Sequence, residues 1–168
     1  MPTPTPSPVP TATPMPLTYT FGAIADTYTS QKTPNANYGS AQSLFVKKLK
    51  GDEQRAFIKI PVTNVPAFVS AKLRLYTTSG SSNSPKVYST QSTWLETAVT
   101  WRKQPTMSLF VSDAGYVAPN SWVEYSVTPA VRNNGIYSFG LVGESSTSAV
   151  SFASRESGKP AELVITVK

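Results

Sequence analysis

The sequence predicts an all-β fold, a β-sandwich of jelly-roll type with one or two short helical turns. Three observations lead there. Short runs rich in Val, Ile, Tyr, Phe and Thr recur along the chain, and many alternate in polarity. Turn-forming clusters such as Pro34-Asn35, Lys50-Gly51-Asp52, Asn133-Asn134-Gly135 and Gly158-Lys159-Pro160 separate them. Charged residues are only 14% of the 168, against roughly 25% in an ordinary domain, so Ser, Thr, Asn and Gly must cover much of the surface. That balance suits an extracellular β protein.

The first segment stands apart. MPTPTPSPVPTATPMP carries seven prolines in sixteen residues and has little to bury, so residues 1–16 read as an extended, semi-rigid linker. Linkers of this composition join modules of secreted proteins, and their threonines suit O-glycosylation. The segment lacks the basic start and apolar centre of a signal peptide. The chain therefore reads as a module of a longer secreted or cell-surface protein, with Met1 added for expression and the domain proper spanning residues 17–168.

From Leu17 onward the candidate strands are LTYTFGAIADTY, SLFVKKLK, AFIKI, AKLRLYTT, KVYST, LFVSDAGYV, WVEYSVT, YSFGLVGE, AVSFASRE and ELVITVK. The last alternates Leu163, Ile165 and Val167 against Val164 and Thr166, and is expected to close the sandwich beside the N-terminal strand. In WVEYSVT, Val123, Tyr125 and Val127 share a face, with Trp122 and Glu124 opposite. Thr128-Pro129 offers an N-cap with proline at the first helical position, and Gly135 can close that turn. Thr93 and Glu96 have capping-box spacing, which predicts one turn over 93–97. Such a turn would let Trp94 and Trp101 face the same way. With Leu95, Ala98 and Val99 they would form an apolar stripe capping an open end of the sandwich.

Composition excludes several chemistries. Without cysteine there are no disulfides or thiolate sites. Without histidine there is no Ser-His-Asp triad, imidazole base or His-ligated zinc. Nine acidic residues remain, but no spacing singles out a glycosidase-like pair, so no enzymatic activity is expected. No run approaches the ~18 apolar residues of a membrane span. The net charge of +6 fits an anionic partner or plain solubility. The basic residues are spread along the chain without a nucleic-acid motif, which argues against DNA or RNA.

Alternation then picks out candidate binding residues. Arg55 and Lys59 share one face of their strand, as do Lys72, Arg74 and Tyr76 of theirs. If the two strands are neighbours, these five form one basic outer face with an aromatic, extended by Lys47 and Lys48 and edged by Arg102 and Lys103. Guanidinium groups grip carboxylates bidentately. The alternative is an ordinary solvated face whose lysines blunt strand edges. Asp26 and Arg155-Glu156 lie near the two ends of the domain and are expected to meet, as a structural ion pair, as a ligand-facing arginine or as part of a calcium site. Asn35 and Asn37 in PNANYG either order their loop by Asx turns or lend oxygens to a structural calcium.

ADTYTSQKTPNANYGSAQSLFV, AFIKIPV, AKLRLY, TWLETAVTWRKQP, SVTPAV and SFASRESGKPAELVITV, in that order, resemble a DNRLRE domain. These are the disaggregatase-related repeats, part of which forms carbohydrate-binding module family 96. The resemblance runs from about Phe21 to Lys168. It implies a β-sandwich module of large secreted bacterial or archaeal proteins, often beside polysaccharide-degrading domains, with some members binding alginate. The family's AFIKI-like strand usually continues with Asp and Ser where this chain has PVTN, so no role of that Asp transfers.

The expected function is thus a monomeric, non-catalytic carbohydrate-binding module, taking an acidic polysaccharide such as alginate or pectin and tethered to neighbouring catalytic or surface domains. The expected site is Lys47, Arg55, Lys59, Lys72, Arg74, Tyr76 and Arg102. The alternative is a structural spacer or adhesion repeat without a sugar site.

Overall fold

The computed structural model describes residues 15–144 and 149–168, so most of the Pro/Thr segment lies outside the described residues. Eleven strands form two antiparallel sheets: β1 Leu17–Gly22, β2 Ala25–Ser30, β3 Ser43–Val46, β4 Gln54–Val62, β5 Phe68–Ser79, β6 Lys86–Thr90, β7 Met107–Ser112, β8 Trp122–Ser126, β9 Gly135–Val142, β10 Val150–Ala153 and β11 Glu162–Val167. One sheet has the order β1-β11-β5-β10-β3, with β8 also paired to β5. The other runs β2-β4-β9-β6-β7. Among the described residues, helical elements are limited to single 3-10 turns at Glu96–Ala98, Trp101–Lys103 and Arg155–Ser157.

The period-2 pattern explains the layering. β11 alternates Leu163, Ile165 and Val167 inward with Val164 and Thr166 outward, and it pairs with β1 as expected. Leu73 and Leu75 of β5, Val123 and Tyr125 of β8, and Phe152 of β10 meet Ile58, Ile60, Phe139 and Leu141 of the opposite sheet in one core. The run LTYTFGAIADTY is two strands, because Ala23 and Ile24 carry the chain from one sheet to the other. The turn at Thr128-Pro129 rests on two backbone hydrogen bonds, Ala130 N and Val131 N donating to Val127 O at 2.9 and 3.0 Å. Gly135 does not close it, but opens β9.

One expectation is overturned. β4 and β5 are not neighbours: β4 pairs with β2 and β9, while β5 pairs with β11, β10 and β8. Arg55 and Lys59 therefore face away from Lys72, Arg74 and Tyr76, on outer surfaces of opposite sheets. Alternation gave each strand's faces correctly but carries no information on which strands share a sheet.

Candidate functional site

The connection from β6 to β7, residues 91–106, crosses the outer face of the second sheet as a strap. Trp94 Nε1 donates to Ser138 Oγ of β9 at 2.7 Å. Lys59 Nζ lies 4.4 Å from the Trp94 ring centroid and donates to Trp94 O, and the Arg55 guanidinium carbon lies 5.0 Å from the Trp101 ring. Phe57, between Arg55 and Lys59 on the same outward face of β4, is fully buried beneath this strap. The tryptophans thus do face the same way, but they cover a sheet face rather than an end of the sandwich. The expected stripe does not form, since Leu95 is 68% exposed and Ala98 is exposed.

The capping box is absent as well: the turn at Glu96–Ala98 has no side-chain cap. Glu96 instead accepts from Asp26 N at 2.7 Å, and receives Arg155 Nη2 and Nε at 2.7 and 3.2 Å. Asn37 Nδ2 donates to Glu96 O and Val99 O at 2.7 and 2.8 Å, while its Oδ1 accepts from Gly39 N at 3.2 Å, the Asx turn expected for this loop. Its side-chain oxygen thereby serves loop geometry. Among the described residues no group of three or more acidic side chains is arranged to hold a metal ion.

Asp26 and Arg155 meet, though not as an ion pair. Asp26 Oδ2 accepts the Arg155 backbone N–H at 2.8 Å, while the guanidinium turns to Glu96 and Glu156. Asp26 is 1% exposed, its Oδ1 has no protein partner, and burial pushes its pKa up to about 7, aided by the negative charge of Glu156 and Glu96.

The predicted basic residues fall into two groups. The first lies at the end where the β3–β4 turn, the loop at 31–36 and the Trp101–Lys103 turn meet. Gln31 N donates to Glu53 O at 2.9 Å and Arg102 N to Pro34 O at 3.2 Å, which binds these segments together. Lys47 and Lys32 contact Asp52 Oδ2 at 2.6 and 2.9 Å, and their hydrogen bonds hold its carboxyl below the usual range. Arg55 and Lys48 share Glu53 at 2.8 and 3.6 Å. With the exposed Lys50, Arg102 and Lys103, seven cations share this end with two carboxylates. Lys59 is not among them. It is turned under Trp94, where burial lowers its pKa.

The second group lies on the outer face of the first sheet. Tyr76 and Trp122 are register partners on β5 and β8, with ring centroids 5.5 Å apart at 76°. Arg74 sits 4.8 Å over Trp122, and Lys159 3.5 Å over Tyr76. Glu124 receives Lys72 at 2.7 Å and Arg74 at 3.3 Å, and Glu162 receives Arg74 at 3.0 Å. Among the described residues, eight of the fifteen basic side chains are engaged in ion pairs: Lys32, Lys47, Lys48, Arg55, Lys72, Arg74, Lys86 and Arg155. Sequence reasoning missed Trp122, Lys159, Lys32 and Lys50 as site candidates. Trp122 was legible as facing away from the core; the lysines sit in turns, which alternation does not reach.

Comparison with known proteins bears on what such surfaces do. The model of carbohydrate-binding module family 96 matches residues 17–167, nearly the whole chain. The chain belongs to this family. A family 96 module is a β-sandwich here, and polysaccharide is the ligand class that membership implies. Among solved structures, the C-terminal family 6 carbohydrate-binding module of LamC, a marine laminarinase from Zobellia galactanivorans, matches at 11% identity with a TM-score of 0.32, covering 89% of this chain and 99% of its own. No curated protein matches the chain.

Proposed function

We propose that this family 96 module binds an acidic polysaccharide, such as alginate or pectin, at the basic end built by Lys32, Lys47, Lys48, Lys50, Arg55, Arg102 and Lys103 around Trp101, and that it binds without catalysing a reaction. The observation that supports it most is the seven-to-two excess of cations over carboxylates on that end. A polyuronate presents one carboxylate per residue, and a row of cations reads that charge while arginines fix it bidentately. Arg102 and Lys103 are the cations on the strap, exposed and without an acidic partner among the described residues. The absence of histidine, the engagement of most carboxylates by cations and the burial of Asp26 at 1% exposure support a reading without catalysis. The Pro/Thr segment suits tethering to an enzyme or cell surface, where binding raises the effective concentration of that neighbour.

Affinity electrophoresis through gels holding alginate, polygalacturonate or neutral glucan tests the reading. Retardation is expected on a uronate gel, with about a tenfold or greater loss, roughly 1.4 kcal/mol or more, in Arg102→Glu/Lys103→Glu. Both side chains are exposed, so circular dichroism should be unchanged. No retardation by either polyuronate would leave a spacer or adhesion repeat as the better account.

A further inference from the structure

We infer that the outer face of the first sheet is a second, separate glycan site, selective for neutral sugars, with the Tyr76–Trp122 pair as its stacking platform. The inference rests on membership in a carbohydrate-binding family and not on the basic end. The two rings meet nearly at right angles at 5.5 Å and form a corner, with Arg74 over the Trp122 ring and Lys159 over the Tyr76 ring. Trp122 is 36% exposed, large for an aromatic on a strand whose alternate residues Val123 and Tyr125 are buried. Its indole N–H and the Tyr76 hydroxyl make no hydrogen bond within the described residues, so both are available to a ligand.

Charge decides the class of sugar. Beside the rings, Arg74 is clamped between Glu124 and Glu162, and Lys72 is held by Glu124. Two carboxylates thus already occupy those cations and leave Lys159 as the cation at the corner without an ion pair among the described residues, so a uronate brought beside Arg74 would meet Glu124 and Glu162 as like charges. A neutral pyranose meets no such repulsion. Its apolar ring face can lie on an aromatic, and its hydroxyls can both donate to carboxylates and accept from a guanidinium, a mixed set that fits vicinal diols. The rows continuing from the rings carry Thr18, Thr20, Ser70, Ser126 and Thr166, a small, polar surface long enough for further sugar residues. Lys159, over Tyr76 and exposed, closes one side of the corner.

Calorimetry with cellohexaose, xylohexaose and mannohexaose at millimolar concentration tests this. At least one is expected to bind the wild-type protein, with about a tenfold or greater loss in Trp122→Ala and little loss in Trp122→Phe, which keeps a ring. Tyr76→Ala serves as the second variant should Trp122→Ala fold poorly. Arg102→Glu/Lys103→Glu is expected to bind the same hexasaccharide as wild type does, so failure here is distinguishable from failure of the basic-end reading. No binding to any of the three, or binding unaffected by both ring removals in folded protein, would overturn the inference.

Discussion

At Asp26 the outward-inward alternation of β2 places a carboxylate between the sheets, in the register position of Ile58, with one oxygen on the Arg155 amide and the other without a partner. Its folded pKa is about 7, whereas the unfolded chain has it near 3.8. The folded state therefore retains a proton that the unfolded state has lost between these values. The contribution of Asp26 to stability is greatest at and below about pH 4 and falls as pH rises towards 7, with a limiting slope of about 1.4 kcal/mol per pH unit. Asp52 and Asp113 are shifted the other way, so their contributions change only at more acidic pH, and no histidine titrates in between. The melting temperature is thus expected to fall between pH 5 and pH 7.5. In Asp26→Asn, which keeps the acceptor for Arg155 N–H without the ionisable proton, the slope should flatten. A wild-type melting temperature flat over this range would refute the assignment. That Asp26 meets Arg155 was legible from their places at opposite ends of the chain. That the contact is to the amide was not, because Glu96, seventy residues from Asp26, captures the guanidinium.

The strap shows which parts of an element a sequence can reveal. Strand positions followed from alternation, and β6 and β11 agree with the runs read from it. Sheet membership did not, since β4 and β5 look alike in composition yet lie in different sheets. The capping-box spacing of Thr93 and Glu96 was misleading because Glu96 gains more from Asp26 N and Arg155 than from its own turn. Nor does a local pattern foretell a connection folding back over a sheet, whose evidence is long-range: the Asn37 clamp on Glu96 O and Val99 O, and the close approach of Gly39. A Cβ at Gly39 would meet Glu96 Cγ at 2.7 Å and the backbone Glu96 O at 2.9 Å. Gly39→Ala is therefore expected to push the strap outward and to cost about 1–3 kcal/mol in urea unfolding. Because Trp94 and Trp101 would lose cover, their fluorescence should shift to the red in the native state. Unchanged stability and emission would mean that the strap does not depend on this contact.

Considered as one molecule, the protein separates its charge more than a net +6 suggests. Ion pairs on the first sheet leave that face nearly balanced, while the β3–β4 turn, the 31–36 loop and the strap present the basic end. The two surfaces respond differently to salt, since only long-range attraction between a polyanion and unpaired cations is strongly screened. Raising NaCl from about 0.1 to about 1 M shortens the screening length from about 10 to about 3 Å. Affinity for polyuronate should then drop by about tenfold or more, while affinity for a neutral hexasaccharide should stay within about twofold, because stacking and short hydrogen bonds do not depend on that length. The two surfaces are built from different residues, one at an end of the sandwich and one on a sheet face, so one molecule can hold both ligands at once. Protein bound to immobilised polygalacturonate at low salt should therefore still retain the neutral oligosaccharide that calorimetry identifies, and Trp122→Ala should lose that retention without leaving the matrix. Competition between the two sugars, with neutral glycan displacing polyuronate, would instead point to a single shared site.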